Sequence, residues 1–221
     1  MCGPAGLFAR GKGERDVTSQ LVATVAGTPI AIGEVDAREA RLRAGPRAAA
    51  LPAGGTSEGR QLRRWLTQLI VTERVVAAEA AARGLTAAHA PSEAELLPDL
   101  TARLEIGSIA AAVLADPLAR ALFADVTADV AVSDADVTGY HTRNPMRFAA
   151  ARSGGHGWRT APLAGPPLDQ VRVVITEHLR GAACRRAFRT WLDARRAVLV
   201  QLAPGYEHPG DPRQPDNTHR H

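Results

Sequence analysis

Apolar residues recur at three- and four-residue steps over two long segments of the chain, and this period predicts two long amphipathic helices. One segment starts after Thr56-Ser57, which are typical helix caps, and ends at Gly84, a typical stop; the other runs from Leu168 to Leu202. The first apolar stripe comprises Leu62, Trp65, Leu66, Leu69, Ile70, Val76, Ala77 and Ala80. The second comprises Leu168, Val171, Ile175, Leu179, Ala183, Ala187, Phe188, Trp191, Leu192, Val198, Leu199 and Leu202.

The charges of the second segment also favour a helix. Asp169 and Glu177 lie near its start, whereas its later turns are rich in arginine, and this order complements the helix dipole. Gly181 costs about 1 kcal/mol relative to alanine in a helix interior. Small neighbours surround it, so this point predicts either a close approach by another backbone or a bend. The arginines are Arg185, Arg186, Arg189, Arg195 and Arg196.

The shorter elements begin with a β-hairpin. Residues 21–25 predict a strand, Ala26-Gly27 a tight turn, and residues 28–32 a returning strand that Pro29 confines to a sheet edge. A helix is predicted from Gly33 to about Arg43, followed by a loop or irregular helix to residue 55. We also expect residues 198–202 to leave the last long helix and pair as a strand with residues 21–25.

Two capping boxes predict further helices in the middle of the chain. Ser92 with Glu95 opens a helix that we expect to run through Leu104 until Gly107 interrupts it. Two shorter helices follow over residues 108–114 and 117–126. Ser133 with Asp136 opens another helix, which runs to about residue 143. The polar face of the first long helix, with Arg63, Arg64, Glu73, Arg74 and Arg83, is interpreted as a solvated surface.

Glycine, proline and charge distribution divide the chain into five parts. Residues 1–16 predict a disordered tail and residues 17–148 a helical core. Residues 149–167 contain several glycines and prolines without periodicity and predict a linker. Residues 168–203 form the long helix that completes the core, its apolar face covering that of residues 57–83. Residues 204–221 predict a polar tail, of which the first part has a composition that suits docking onto the body.

Composition narrows the class of protein. Hydrophobic residues make up 45% and aromatic residues only 4%, so the core is built mostly from alanine, leucine and valine, which favours helices. Lys12 is the only lysine among 27 basic residues, a bias typical of GC-rich genomes such as those of actinobacteria. Cys2 and Cys184 make no disulfide framework, and we find no apolar run suited to a signal peptide or membrane span. These features predict a cytoplasmic protein with free thiols.

The order of the elements resembles the chaperone domain of SurA/PrsA-type parvulin foldases. Residues 22–30 with Gly33-Glu34-Val35 are similar to the opening of that domain, and residues 79–85 to the end of its long helix. Residues 132–148 are similar to its third landmark, and residues 168–192 to the helix that returns after the isomerase domain. The resemblance covers roughly residues 22–202. It implies a mostly α fold of the SurA N-terminal type, with a small hairpin paired with the end of the long helix.

The chain departs from that family in two places. Ala26 stands where asparagine is common, which leaves Gly27 to supply the positive φ of the turn. Residues 149–167 are too few for an isomerase domain, which needs about 50 residues. The resemblance therefore implies a chaperone core without isomerase activity, and no catalytic residue is assigned.

A chaperone of this kind needs an apolar surface for unfolded polypeptides. The alternative is that each aromatic or aliphatic side chain that fits this role belongs to an ordinary core. The candidate peptide- or partner-binding residues are Trp65, Leu69, Ile70, Phe123, Phe188 and Trp191.

Other candidate sites are weaker on chemical grounds. His208, His219 and His221 are metal-ligand types, but a Pro- and Gly-rich tail does not fix the geometry of a metal site, so no metal or cofactor is expected. Cys184 and His178 lie six helical positions apart, on different faces, and are not predicted to form a catalytic dyad. The arginines of the last helix could meet phosphates. The scarcity of aromatic residues for base stacking argues against nucleic acid as a partner.

Three functions remain open from the sequence. The leading hypothesis is a non-catalytic, chaperone-like protein that binds an unfolded or partner polypeptide. The second is an accessory protein of a polyketide pathway acting on a carrier protein or synthase, including malonyl or acyl transfer. The G-x-S-x-G elbow of a serine acyltransferase is absent from the sequence, and residues 55–59 do not supply it. The third is a small-molecule binder that uses the interior of the helical bundle.

Overall fold

The computed structural model describes residues 20–147 and 165–208, which are mostly helical with a small three-stranded antiparallel sheet. The predicted mostly α class is confirmed at this level. None of the described helices is both long and apolar enough to span a membrane. The elements are β1 (Leu21–Val25), β2 (Thr28–Ala31), α1 (Ile32–Arg43), a short 3-10 helix (Ala48–Ala50), α2 (Ser57–Ala82), α3 (Glu93–Leu96), α4 (Leu100–Ile106), α5 (Ser108–Val113), α6 (Pro117–Val126), α7 (Asp134–Arg143), α8 (Leu168–Leu199) and β3 (Val200–Leu202).

The described chain divides into two compact units. Residues 20–83 and 195–208 form the first, which we call the sheet unit, and residues 84–147 and 165–194 form the second, the helical unit. The division falls within α8, at residues 194 and 195.

The sheet has the order β2-β1-β3, and its last strand comes from the other end of the chain. β1 pairs antiparallel with β3, with Ala23 opposite Leu202 and Val25 opposite Val200. This confirms the predicted strand after the long helix. The helix itself continues to Leu199, so the exchange from helix to strand occurs two residues later than the start we expected.

The turn between β1 and β2 places two successive residues at positive φ. Ala26 has φ 48° and Gly27 has φ 79°, the pattern that a type I′ hairpin turn requires. Glycine adopts this region freely, whereas the Cβ of alanine makes it costly.

Replacing Ala26 with asparagine is expected to stabilise the sheet unit by about 0.5–1 kcal/mol, because asparagine tolerates positive φ at this turn position better than alanine does. The midpoint of urea denaturation should therefore rise. Ala26→Val, which adds β-branching at the same exposed position, should lower it. Equal midpoints for the three proteins would show that the turn does not limit stability.

Ion pairs fix α1 against the polar face of α2. Arg63 bonds Asp36 at 2.5 Å and Glu39 at 2.7 Å, and Arg38 bonds Glu73 at 2.6 Å. Half-exposed pairs contribute little each to stability, but together they set the register of the two helices.

The sequence had indicated that the polar face of α2 is a solvated surface. These ion pairs show that part of it contacts α1 instead. Arg74 of this face also bonds Glu34 of α1, at 2.8 Å. Arg64 is buried, with 6% of its surface exposed. The hydrophobic period assigns charged positions of a helix to the solvent side by residue type alone. It could not show that α1 would contact charged residues of α2.

Buried polar groups of α2 anchor the end of the chain within the sheet unit. Glu79 accepts from Nε of Arg195 at 2.8 Å, and Nε2 of Gln68 donates to the backbone oxygen of Tyr206 at 2.6 Å. Arg196 donates to Thr72 at 2.7 Å and also to the side chain of Gln68. The beginning of the tail is thus docked on the body, as its composition indicated. Residues 209–221 lie outside the described part of the chain.

The helix predicted after Ser92 is wrong in its length, because it breaks into α3 and α4. Pro98 disfavours helical geometry at Leu97, which has φ −128° and ψ 65°. Asp99 then starts α4 by accepting from the N–H of Ala102 at 2.8 Å. The capping box of Ser92 and Glu95 is present as predicted, and so is that of Ser133 and Asp136 at the start of α7.

The helical unit has two apolar centres along α8. Towards the start of α8, Val171 and Ile175 pack with Val137 of α7. Further along, the ring of Phe188 lies 5.0 Å from that of Phe123 and 5.7 Å from that of Trp191. The first part of the predicted linker, residues 149–164, lies outside the described part of the chain.

Candidate functional site

The structure divides the six predicted binding residues between the two units. Leu69 and Ile70 of α2 are buried and Trp65 is half-buried, and all three belong to the sheet unit. The other three belong to the helical unit and form one aromatic cluster. This cluster comprises Phe123, Phe188 and Trp191.

A cleft of about 320 Å³ opens beside the aromatic cluster in the helical unit. Phe123, Leu96 and Cys184 give it an apolar floor, and the hydroxyl of the buried Thr127 donates to the backbone oxygen of Phe123 at 2.8 Å. The other lining residues are Glu95, Ala124, Ala128, Glu177, Arg180 and Gly181. Of the six residues predicted from sequence, Phe123 is the one that lines this cleft.

One face of α8 forms a side of the cleft. Glu177, Gly181 and Cys184 follow one another at four- and three-residue steps, so they share a face. Gly181, which the sequence marked as a weak point of the helix, contributes no side chain to this side of the cleft. A Cβ added there would lie 3.2 Å from Nη1 of Arg185. Val173 lies four residues before Glu177 and therefore on the same face of α8, and it is 68% exposed.

Arg185 holds α3, which forms another wall of the cleft, against α8. Its side chain is 8% exposed and pairs with Glu105 at 2.8 Å, while Nη1 donates to the backbone oxygen of Leu96 at 3.3 Å. The carbonyl of Leu96 is at the end of α3, where helical carbonyls lack intrahelical partners. Arg185 therefore satisfies that group and fixes the position of a cleft residue.

The rim of the cleft carries two carboxylates and one guanidinium. The N–H of Ser92 donates to Glu95 at 2.6 Å and the hydroxyl of Ser92 donates at 2.9 Å, and these bonds hold the pKa of Glu95 below its ordinary value. Glu177 and Arg180 are exposed on α8. The lining residues together carry a net charge of −1, whereas the whole chain carries +4.

The cleft offers apolar contact and negative charge. Cys184 is a buried free thiol, as predicted. His178 does not line the cleft, and its Nε2 lies 3.2 Å from the hydroxyl of Tyr140 instead.

His178 is expected to make the helical unit less stable in mild acid. Burial, with the nearby positive charges of Arg147 and Arg185, lowers the pKa of His178 below its ordinary value of about 6.5. The unfolded chain therefore binds the proton more readily, so stability is full above pH 6.5 and falls as the pH drops towards the folded-state pKa. Thermal unfolding at pH 7.5 and pH 5.5 should show a smaller difference for His178→Gln than for the native protein. An unchanged difference would contradict this assignment.

The arginines of α8 that the sequence offered as phosphate contacts mostly bind the protein itself. Arg185 binds Glu105, Arg195 binds Glu79, and Arg189 donates to the backbone oxygen of Glu105 at 3.4 Å. Arg196 binds Thr72 and Gln68. Charges already engaged in this way are poorly placed to release counterions from nucleic acid.

The candidate metal ligands of the tail gain no support within the described ranges. Residues 20–147 and 165–208 contain no group of three or more side chains that could hold a metal ion. His208 is exposed, and His219 and His221 lie outside those ranges.

Residues 21–58 match the profile of a family of unknown function, DUF7158. The matched segment contains β1, β2 and α1 and ends as α2 begins. No curated protein and no solved structure matches the chain. The match therefore covers the hairpin of the sheet unit and none of the residues that line the cleft.

Proposed function

We propose that this protein is a non-catalytic, chaperone-like binder of polypeptides, related to the SurA/PrsA foldases, and that the cleft of the helical unit receives an apolar side chain of the bound segment. The observation that carries the proposal is the apolar floor of the cleft beside a packed aromatic cluster. Unfolded polypeptides offer apolar side chains, and a concave apolar site recognises them without fixed chemistry.

The size of the cleft fits this use. An apolar cavity of about 150 Å³ holds a benzene ring. A cleft of about 320 Å³ therefore admits an aromatic side chain with room for a neighbouring group. The hydrogen bond from Arg185 to the carbonyl of Leu96 fixes part of the cleft wall before binding. The protein therefore loses less conformational freedom when a segment enters.

Suppression of aggregation tests the proposal. The native protein should slow the aggregation of a chemically unfolded client, and Ala124→Trp should abolish this effect because an indole at this exposed lining position fills the cleft. Ala135→Trp is the matched control, since Ala135 is an exposed helical alanine of α7 that does not line the cleft. A native protein that neither slows aggregation nor binds an apolar peptide would refute the proposal.

The volume of the cleft also favours a second candidate function, the binding of a small apolar molecule. Ligand sites typically span about 300–1,000 Å³, and this cleft lies at the lower end. A metabolite that raises the thermal midpoint of the native protein, but not that of Ala124→Trp, would support this alternative. If the cleft is a small-molecule site, apolar peptides should bind it more weakly than the metabolite does.

A further inference from the structure

The cleft has charged residues at its opening, which a groove that binds apolar segments in general does not require. The apolar floor is bordered by Glu95 from α3 and Glu177 from α8, two helices that come from distant parts of the sequence. Neither carboxylate forms an ion pair with another residue in the described part of the chain. An arginine-rich protein thus presents a locally acidic opening.

Glu95 is held in place, which makes its charge a fixed feature of the opening. Its carboxylate accepts two hydrogen bonds from Ser92 and is therefore oriented by the capping box. These bonds favour its ionised form, so it is charged at neutral pH. Glu177 is exposed and free to rotate towards a bound group.

Arg180 offsets part of this negative charge without cancelling it. It also lines the cleft from α8, three residues after Glu177. With two carboxylates and one guanidinium, the opening keeps a net charge of −1 and favours a ligand with a single positive charge. A backbone carbonyl of the same ligand is a suitable acceptor for the guanidinium of Arg180.

We propose that the cleft selects polypeptide segments in which an apolar side chain is followed closely by a lysine or arginine. The apolar side chain enters beside Phe123 and Cys184, and the cation lies at the rim between Glu95 and Glu177. This inference rests on the proposed polypeptide binding and adds the charge of the preferred segment.

Three labelled peptides test the selection directly. Each carries the same Leu-Phe-Leu segment within a Gly/Ser background, followed by Lys, Gln or Glu, and binding is measured by fluorescence anisotropy. The Lys peptide should bind about threefold to tenfold more tightly than the Gln peptide, the range expected for one or two exposed ion pairs, and the Glu peptide most weakly. The preference should shrink in 1 M NaCl, where the screening length is about 3 Å.

Two charge reversals on α8 supply the variant and its matched control. Glu177→Arg should remove the preference for the Lys peptide. Asp193→Arg changes the charge by the same amount on the opposite face of the helix, away from the cleft, and should keep it. The Gln peptide should bind all three proteins with similar affinity.

The outcomes separate this inference from the proposed function. Equal binding of the three peptides, or a preference that survives Glu177→Arg, would overturn the charge selection and leave polypeptide binding intact. A preference that both reversals remove equally would assign it to the total charge of the protein and overturn the selection by the rim. If no peptide binds the native protein, both proposals fail.

Discussion

Replacing Phe188 with alanine is expected to lower the free energy of unfolding of the helical unit by about 3–5 kcal/mol. The side chain has no exposed surface, and its ring packs between those of Phe123 and Trp191. Truncation loses this apolar burial and leaves a cavity that the surrounding helices can fill only in part. Urea denaturation followed by circular dichroism measures the loss, and the fluorescence of Trp191 should change with it.

Val173→Ala is the control for this variant, because Val173 lies on the same helix but is 68% exposed. We expect its free energy of unfolding to change by less than about 0.5 kcal/mol. Phe188→Leu should cost less than Phe188→Ala, since it keeps much of the apolar volume. If Phe188→Ala behaved like Val173→Ala, the aromatic cluster would not be a core of the helical unit.

Removing the carboxylate of Glu105 is expected to destabilise the helical unit more than removing its partner Arg185. Glu105→Ala leaves the guanidinium of Arg185 buried, with its side chain 8% exposed, and should cost about 2–3 kcal/mol. Arg185→Met keeps the apolar stem and removes the buried charge, whereas Glu105 is 36% exposed and can be hydrated. This second change should cost about 1 kcal/mol.

The double variant provides the measurement that separates the two contributions. Adding Arg185→Met to Glu105→Ala should recover part of the lost stability, because the unpaired buried charge is then absent. Additive losses in the double variant would contradict the assigned ion pair. The Arg185→Met protein should also bind peptides less tightly, since Leu96 of the cleft wall loses the hydrogen bond to its carbonyl.

The sequence predicted local structure well where local chemistry determines it. Gly27 marks the hairpin turn, Thr56 caps α2, and Ser92 and Ser133 open their helices as expected. The break between α3 and α4 was missed because the leucine period continues through it, whereas Pro98 rules out helical geometry at the residue before it. In that case a steric rule outweighs the apolar pattern.

The cleft could be predicted only in small part. Phe123 was recognised as a possible binding residue, but Glu95 had been explained as a cap and Gly181 as a weak point in the helix. The local explanations of Glu95 and Gly181 left no reason to assign either residue to a binding site. Their common position depends on how α3, α6 and α8 pack, and such packing depends on contacts between residues far apart in sequence. Arg185 shows the same limit, since the sequence offered it as a possible phosphate contact, whereas its partner Glu105 lies 80 positions away.

The pairing of β1 with β3 affects how the protein is made. Val25 can pair with Val200 only after Val200 has been synthesised, 175 residues later. At about 5–20 residues per second, a ribosome needs on the order of 10–35 s to cover that interval. Throughout this time one edge of the nascent hairpin is open to strands of neighbouring chains. Slower translation should therefore increase co-translational aggregation of this protein.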